Sequence, residues 1–193
     1  GALLFPRGLG TISALLLSGT LAANTDPRRL LVFGLLLIVF ANWRMSAWTP
    51  DVSSWEISWT TAIQGFGSGI TFVPNIAIAF WSVSDRYRTE GLSFLYLLFY
   101  FGSAVGVACI FALQAKLAQV NRAQLVENVT HHNERFGLAD MASVWDPTTQ
   151  SGLAAISAEI NRQAQMIAYS NSFLIIAVTA LIMAPLPLLV TRR

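Results

Sequence analysis

Apolar residues in this chain come in long runs separated by short polar connections, a pattern that predicts helices crossing a lipid bilayer. A crossing helix needs about 20 mostly apolar residues, because in hydrocarbon every backbone amide must find its partner within the helix. Five runs qualify as candidate spans: about Gly8 to Ala23, Leu30 to Trp43, Trp55 to Trp81, Gly91 to Ala115 and Ala168 to Val190. None holds an ionised residue in its interior. An Asp, Lys or Arg at mid-membrane costs roughly 2.5–3.5 kcal/mol whereas a Leu, Ile, Phe or Val returns only 0.3–0.6, so interiors free of charge are a strong signature of insertion. The second run is the shortest, and Pro185 and Pro187 are expected to kink or end the last helix.

The connections carry the orientation. Arg28 and Arg29 follow the first span, Arg86 and Arg88 lie between the third and fourth, and Arg192 and Arg193 end the chain. These places share one side, which the positive-inside rule makes cytoplasmic. Trp43, Trp48, Trp55 and Trp59 bracket the outer connection after the second span, as aromatic residues do at headgroup depth. Residues from about 116 to 167 form an external loop that carries half of the acidic residues. Trp145-Asp146-Pro147 marks a turn in it, and Leu153, Ile156, Ile160 and Ile167 recur at helical spacing, predicting a surface helix that leads into the fifth span.

Within the spans the informative side chains are polar and uncharged. Thr60, Gln64, Ser68, Thr71 and Asn75 follow one another at steps of four, four, three and four, so they form one stripe along the third helix. Lipid would leave the amides of Gln64 and Asn75 unpaired at a cost of several kcal/mol. The stripe therefore faces either a solute-accessible cavity or a neighbouring helix that it binds by hydrogen bonds, and the pattern leaves both readings open. On the fourth span Ser93, Tyr96, Tyr100 and Ser103 share an arc, with Gly102 and Gly106 on the far side. Tyr96 and Tyr100 offer aromatic surface to an apolar or cationic solute, or else pack as ordinary buried rings. Gly65-x-x-x-Gly69 and Gly102-x-x-x-Gly106 are the spacing that lets two helices approach closely.

Composition narrows the function. Of 193 residues 54% are apolar and 11% charged, with a mean hydropathy of +0.56, which excludes most soluble folds. The net charge of +2, from eleven arginines and one lysine, Lys116, against ten acidic residues, is too weak and scattered for nucleic-acid binding. A single cysteine, Cys109, excludes a disulfide framework and a multi-cysteine metal site. His131 and His132 with Glu127 and Glu134 lack metal-ligand spacing and read as a solvated loop. Asn128-Val129-Thr130 matches a glycosylation acceptor pattern that arises often by chance. No P-loop, dinucleotide fingerprint or nucleophile elbow is present, so neither catalytic residues nor a cofactor or metal are expected. The first residue is Gly rather than Met and the chain is apolar from Ala2, so it reads as a piece of a longer protein.

Several segments, in order, resemble the fourteen-span drug:proton antiporters of the major facilitator superfamily, of the EmrB/QacA type. Pro6-Arg7-Gly8-Leu9-Gly10 is similar to that family's P-R-G-L-G, and Gly19 to Arg29 resembles its second-half cytoplasmic loop motif. Gln64-Gly65-Phe66-Gly67 with Phe72-Val73-Pro74 resembles its Q-G-x-G and F-x-P, and Arg88-Thr89-Glu90 its R-N-E. Val120 to Thr130 resembles the start of its long external loop. The likeness covers nearly the whole chain, and five motifs in the right order are specific where any one alone is weak.

The resemblance implies an all-α, polytopic membrane helical bundle, the C-terminal five spans of a major facilitator superfamily fold, in the cell's inner membrane. It implies a secondary transporter that exports small amphipathic compounds, coupled to protons. Gln64, Ser68, Thr71, Asn75, Tyr96 and Tyr100 are then the candidates for the substrate cavity, and Gly65, Gly69, Gly102 and Gly106 for helix packing. Gly19, Asp26, Arg28 and Arg29 belong to the cytoplasmic loop motif. The expected partners are the bilayer, the substrate, protons and an adaptor protein. The chain departs from the family at Phe99, where an arginine is frequent, at Ser103 in place of a glycine, and at Ala23 and Asn24 in the loop motif. No carboxylate lies in the interior of a span, so proton coupling would rest on the half of the protein preceding this chain. The alternative function is a non-transporting membrane scaffold or sensor whose external segment binds a partner.

Overall fold

A computed structural model describes residues 5–81, 83–128 and 149–189. The described residues are all helical apart from turns: α1 (Phe5–Asn24), α2 (Pro27–Ser46), α3 (Ser54–Ala79), α4 (Arg88–Asn128), α5 (Gln150–Met183) and the single turn α6 (Leu186–Leu189). Four stretches are long and apolar enough to cross a membrane, Pro27–Ser46, Ser54–Ala79, Arg88–Glu127 and Gln150–Leu189, which is the make-up of a membrane protein. The first expected span is helical as α1 from Phe5, but α1 is not among these four. The second is longer than its apolar run, because the helix takes in Pro27 to Arg29 at one end and Arg44 to Ser46 at the other.

Caps explain where the helices begin. Asp26 accepts a bond from the backbone N–H of Arg28 at 3.0 Å, and Pro27 at the first helical position has no N–H to satisfy. Ser53 Oγ accepts from the N–H of Glu56 at 3.2 Å to start α3. At the far end, α5 stops at Met183, just before Pro185.

The external loop expected over 116–167 is helical at both ends. Lys116 to Asn128 continues α4 without a break, and α5 already starts at Gln150. Residues 116–128 contain no Gly or Pro and are rich in Ala, Leu and Gln, so nothing stops the helix where the apolar run stops. The predicted surface helix and the fifth span are one helix, α5, whose buried face keeps Ile156 of the expected residues but not Leu153 or Ile167. Leu153 and Ile167 are exposed, whereas Gly152, Ile156, Ala164, Ala168 and Ser172 are buried at multiples of four residues. Small residues at that spacing let a helix approach its neighbour closely, which outweighs the bulk of the leucine and isoleucine. Residues 129–148, with Val129, Thr130, His131, His132, Glu134 and Trp145-Asp146-Pro147, lie outside the described residues, as do Arg192 and Arg193.

The described residues fall into two compact units, one within Gly1–Val107 and Phe173–Arg193, the other within Ala108–Ser172. In the first, α3 packs between α1 and α2 on seams of small residues. A Cβ on Gly65 would overlap the carbonyl oxygen of Arg7, and one on Gly10 that of Ala62. A Cβ on Gly69 would stand 2.5 Å from the Thr11 oxygen, and one on Gly67 would stand 2.9 Å from that of Gly34. Thr11 Oγ1 donates to the Gly65 carbonyl at 3.2 Å across the α1–α3 seam. These contacts exist only because the residues lack a side chain. Arg44 pairs with Glu56 at 2.8 Å where α2 and α3 meet, and its guanidinium lies 5.8 Å over Trp59. Trp48 meets Phe173 edge-on at 5.5 Å.

In the second unit, Arg162 donates to both carboxylate oxygens of Glu159 at 2.8 and 3.0 Å, and Gln163 donates to one of them at 2.8 Å. The Arg162 bonds, helped by that of Gln163, hold the Glu159 carboxyl below its ordinary pKa.

Candidate functional site

The polar stripe of α3 divides once its hydrogen bonds are traced. Thr60 is buried and its hydroxyl donates to the Glu56 carbonyl at 2.5 Å; Ser68 donates to Gln64 at 2.9 Å and Thr71 to Ser68 at 2.8 Å. Each hydroxyl thus returns to the preceding turn of its own helix, which hides its polarity without a partner elsewhere. Gln64 behaves differently. Its Nε2 donates to Asn42 Oδ1 of α2 at 3.1 Å, and Asn42 Nδ2 donates to the Ile38 carbonyl at 2.8 Å. Asn42 is wholly buried. Close by on the same seam, Gly34 of α2 faces the Thr71 methyl.

Asn42 was not among the residues singled out from the sequence. The signal for it existed: it is the one polar side chain between Leu30 and Trp43, and an amide in such a run needs a partner.

Asn75 is the second amide of the stripe and it is exposed, with no hydrogen bond among the described residues. With Phe72 and Ile76 it lines a recess whose other wall is Leu95, Tyr96 and Phe99 of α4. The recess holds about 30 Å³, the room of one water molecule. A drug-sized solute needs roughly 300–1,000 Å³, so this recess would have to widen to admit one. Tyr96 stacks on Tyr100 at 6.3 Å, and Phe99 meets Tyr100 edge-on at 5.9 Å. Tyr100 is 68% exposed and does not line the recess.

The structure therefore brings Asn75 and Tyr96 together and turns Gln64 to α2, with Ser68 and Thr71 bonded to their own helix. Gly65 and Gly69 sit against α1, while a Cβ on Gly102 or Gly106 would meet nothing within 4 Å. In the loop motif Asp26 caps α2, Arg28 lies 4.7 Å over the Trp81 ring, Arg29 is exposed, and a Cβ on Gly19 would be in open space. The Arg28–Trp81 contact joins the start of α2 to the end of α3, as Arg44–Glu56 joins their other ends.

Among the described residues no three His, Cys, Asp or Glu side chains come together as a metal site would require. Compared with protein families, with curated proteins and with solved structures, the chain finds no match.

Proposed function

We propose that this chain is the C-terminal part of a secondary transporter of the major facilitator type, which exports small amphipathic compounds in exchange for protons. The observation that carries the reading is Asn75: an unbonded amide near one end of an apolar helix, facing the aromatic side chains of α4. Such a group needs a polar occupant, and an amide set among Phe72, Tyr96 and Phe99 suits a solute with one polar and one apolar face. On the arginine-based orientation this end of α3 is cytoplasmic, the side from which an exporter loads. The ordered motif resemblances support the same reading. Rocking of one helical half against the other would widen the recess and expose it alternately to the two sides. Proton coupling is assigned to the preceding half, since no expected span here holds a carboxylate in its interior.

The test is dye or drug efflux by the full-length protein in cells. Asn75→Ala and Tyr96→Ala are expected to lower efflux at unchanged membrane abundance, and unchanged efflux in both would remove this site. Concentrative transport by this chain alone in vesicles would overturn the fragment reading, because five helices cannot form two opposed halves.

A further inference from the structure

The corner between α1 and α2 borders an open pocket of about 570 Å³, lined by residues 22–28 and by Trp81 just after α3. Its polar groups are unevenly satisfied. Asp26 Oδ1 already accepts the N–H of Arg28. Thr25 Oγ1 makes no hydrogen bond among the described residues, and neither Arg28 nor Arg29 forms an ion pair among them. Arg28 Nε is buried without a hydrogen-bond partner although its guanidinium is held 4.7 Å over Trp81. An N–H buried without an acceptor is costly, and the planar fork of this partly exposed guanidinium matches a phosphate. The pocket stands where α2 starts and just beyond the end of α3, which is headgroup depth for helices that cross a bilayer.

We infer that this corner binds a phosphate group, with Arg28 as the paired donor, Thr25 as a second donor and Arg29 adding charge. Two arginines against the Asp26 carboxylate leave one net positive charge, which suits a singly charged phosphodiester better than a dianion. Anionic phospholipid headgroups supply that chemistry at this depth. The inference rests on α2 and α3 crossing a membrane and is independent of transport.

The test is native mass spectrometry of the full chain in detergent, titrated with phosphatidylglycerol, with phosphatidylcholine, and with inorganic phosphate as competitor. Phosphatidylglycerol should be retained over phosphatidylcholine, and Arg28→Gln should weaken that retention roughly fivefold. Thr25→Val should weaken it less, and Arg28→Lys should fall between wild type and Arg28→Gln, because it keeps the charge and loses the fork. Competition by inorganic phosphate would support a site open to free phosphate, and its failure to compete would support the lipid as the source. Retention equal to wild type in Thr25→Val and in both Arg28 variants would overturn the inference; should Arg28→Gln fail to fold, Thr25→Val and Arg28→Lys decide it. Efflux enters none of these readouts, so failure of the transporter reading leaves a positive lipid result standing.

Discussion

The same four-residue glycine step occurs on two helices and has two different fates. On α3, Gly65 and Gly69 press against the backbone of α1, so closely that an added methyl would meet a carbonyl oxygen at either position. On α4, Gly102 and Gly106 face open space, and no described residue of that helix is buried. A glycine pair removes a steric obstacle to close approach, but it supplies no attraction of its own. Whether the obstacle mattered depends on the presence of a complementary helix. For α3 the complement is Gly10, Thr11 and Ala14, with Thr11 bonding across the seam. For α4 no described residue comes within 4 Å of a Cβ on either glycine.

The largest expected effect is at the two glycine steps themselves. Gly65→Leu should destabilise the chain by about 3 kcal/mol or more through overpacking against backbone that cannot yield, while Gly102→Leu should stay within about 0.5 kcal/mol. Unfolding in mixed micelles measures both, and equal losses would erase the distinction. Repeating Gly102→Leu in the full-length protein sharpens it, since a large loss there would show that α4 gains a helical partner.

Next in size is the amide pair that binds α2 to the face of α3 turned from α1. The coupling between Asn42→Leu and Gln64→Leu in a double-mutant cycle should be about 0.6–1.7 kcal/mol. A coupling of zero would reduce that seam to steric fit alone. The Arg44–Glu56 pair is partly exposed, with side chains 39% and 32% accessible, so its coupling should be only about 0.2–1 kcal/mol and should shrink as salt is added.

The smallest effect lies in the second unit. Arg162→Ala should raise the Glu159 pKa toward its ordinary value, as a carboxyl NMR titration would read. Because the folded pKa is the lower one, this contribution to stability is present above the unfolded pKa and fades as pH falls through the folded value. A Glu159 titration unmoved by Arg162→Ala would show that the pair does not persist in solution.

Four of the five expected spans were legible as long apolar helices because insertion is a matter of composition over a window, and a run free of charge states it directly. Their lengths were not: α4 and α5 continue well past their apolar runs, since helix propensity outlasts hydrophobicity in 116–128 and 150–167. The stripe on α3 was legible as a stripe, because the helical period alone places its five members. The fates of those members were not. Gln64 found Asn42, three hydroxyls found their own carbonyls, and Asn75 was left to the α4 recess.

From the order of residues alone came the class of the molecule, the position of its helices and the sharing of one face by the stripe, because these follow from local periodicity and from the cost of charge in hydrocarbon. Contacts between distant positions decided the rest: which glycines touch backbone, which amide is paired, and why Arg28 lies over Trp81 at a corner lined from two helix ends. Lipid is as apolar as a leucine side chain, so hydrophobicity cannot say which face of a membrane helix meets protein; shape and hydrogen bonding make that choice.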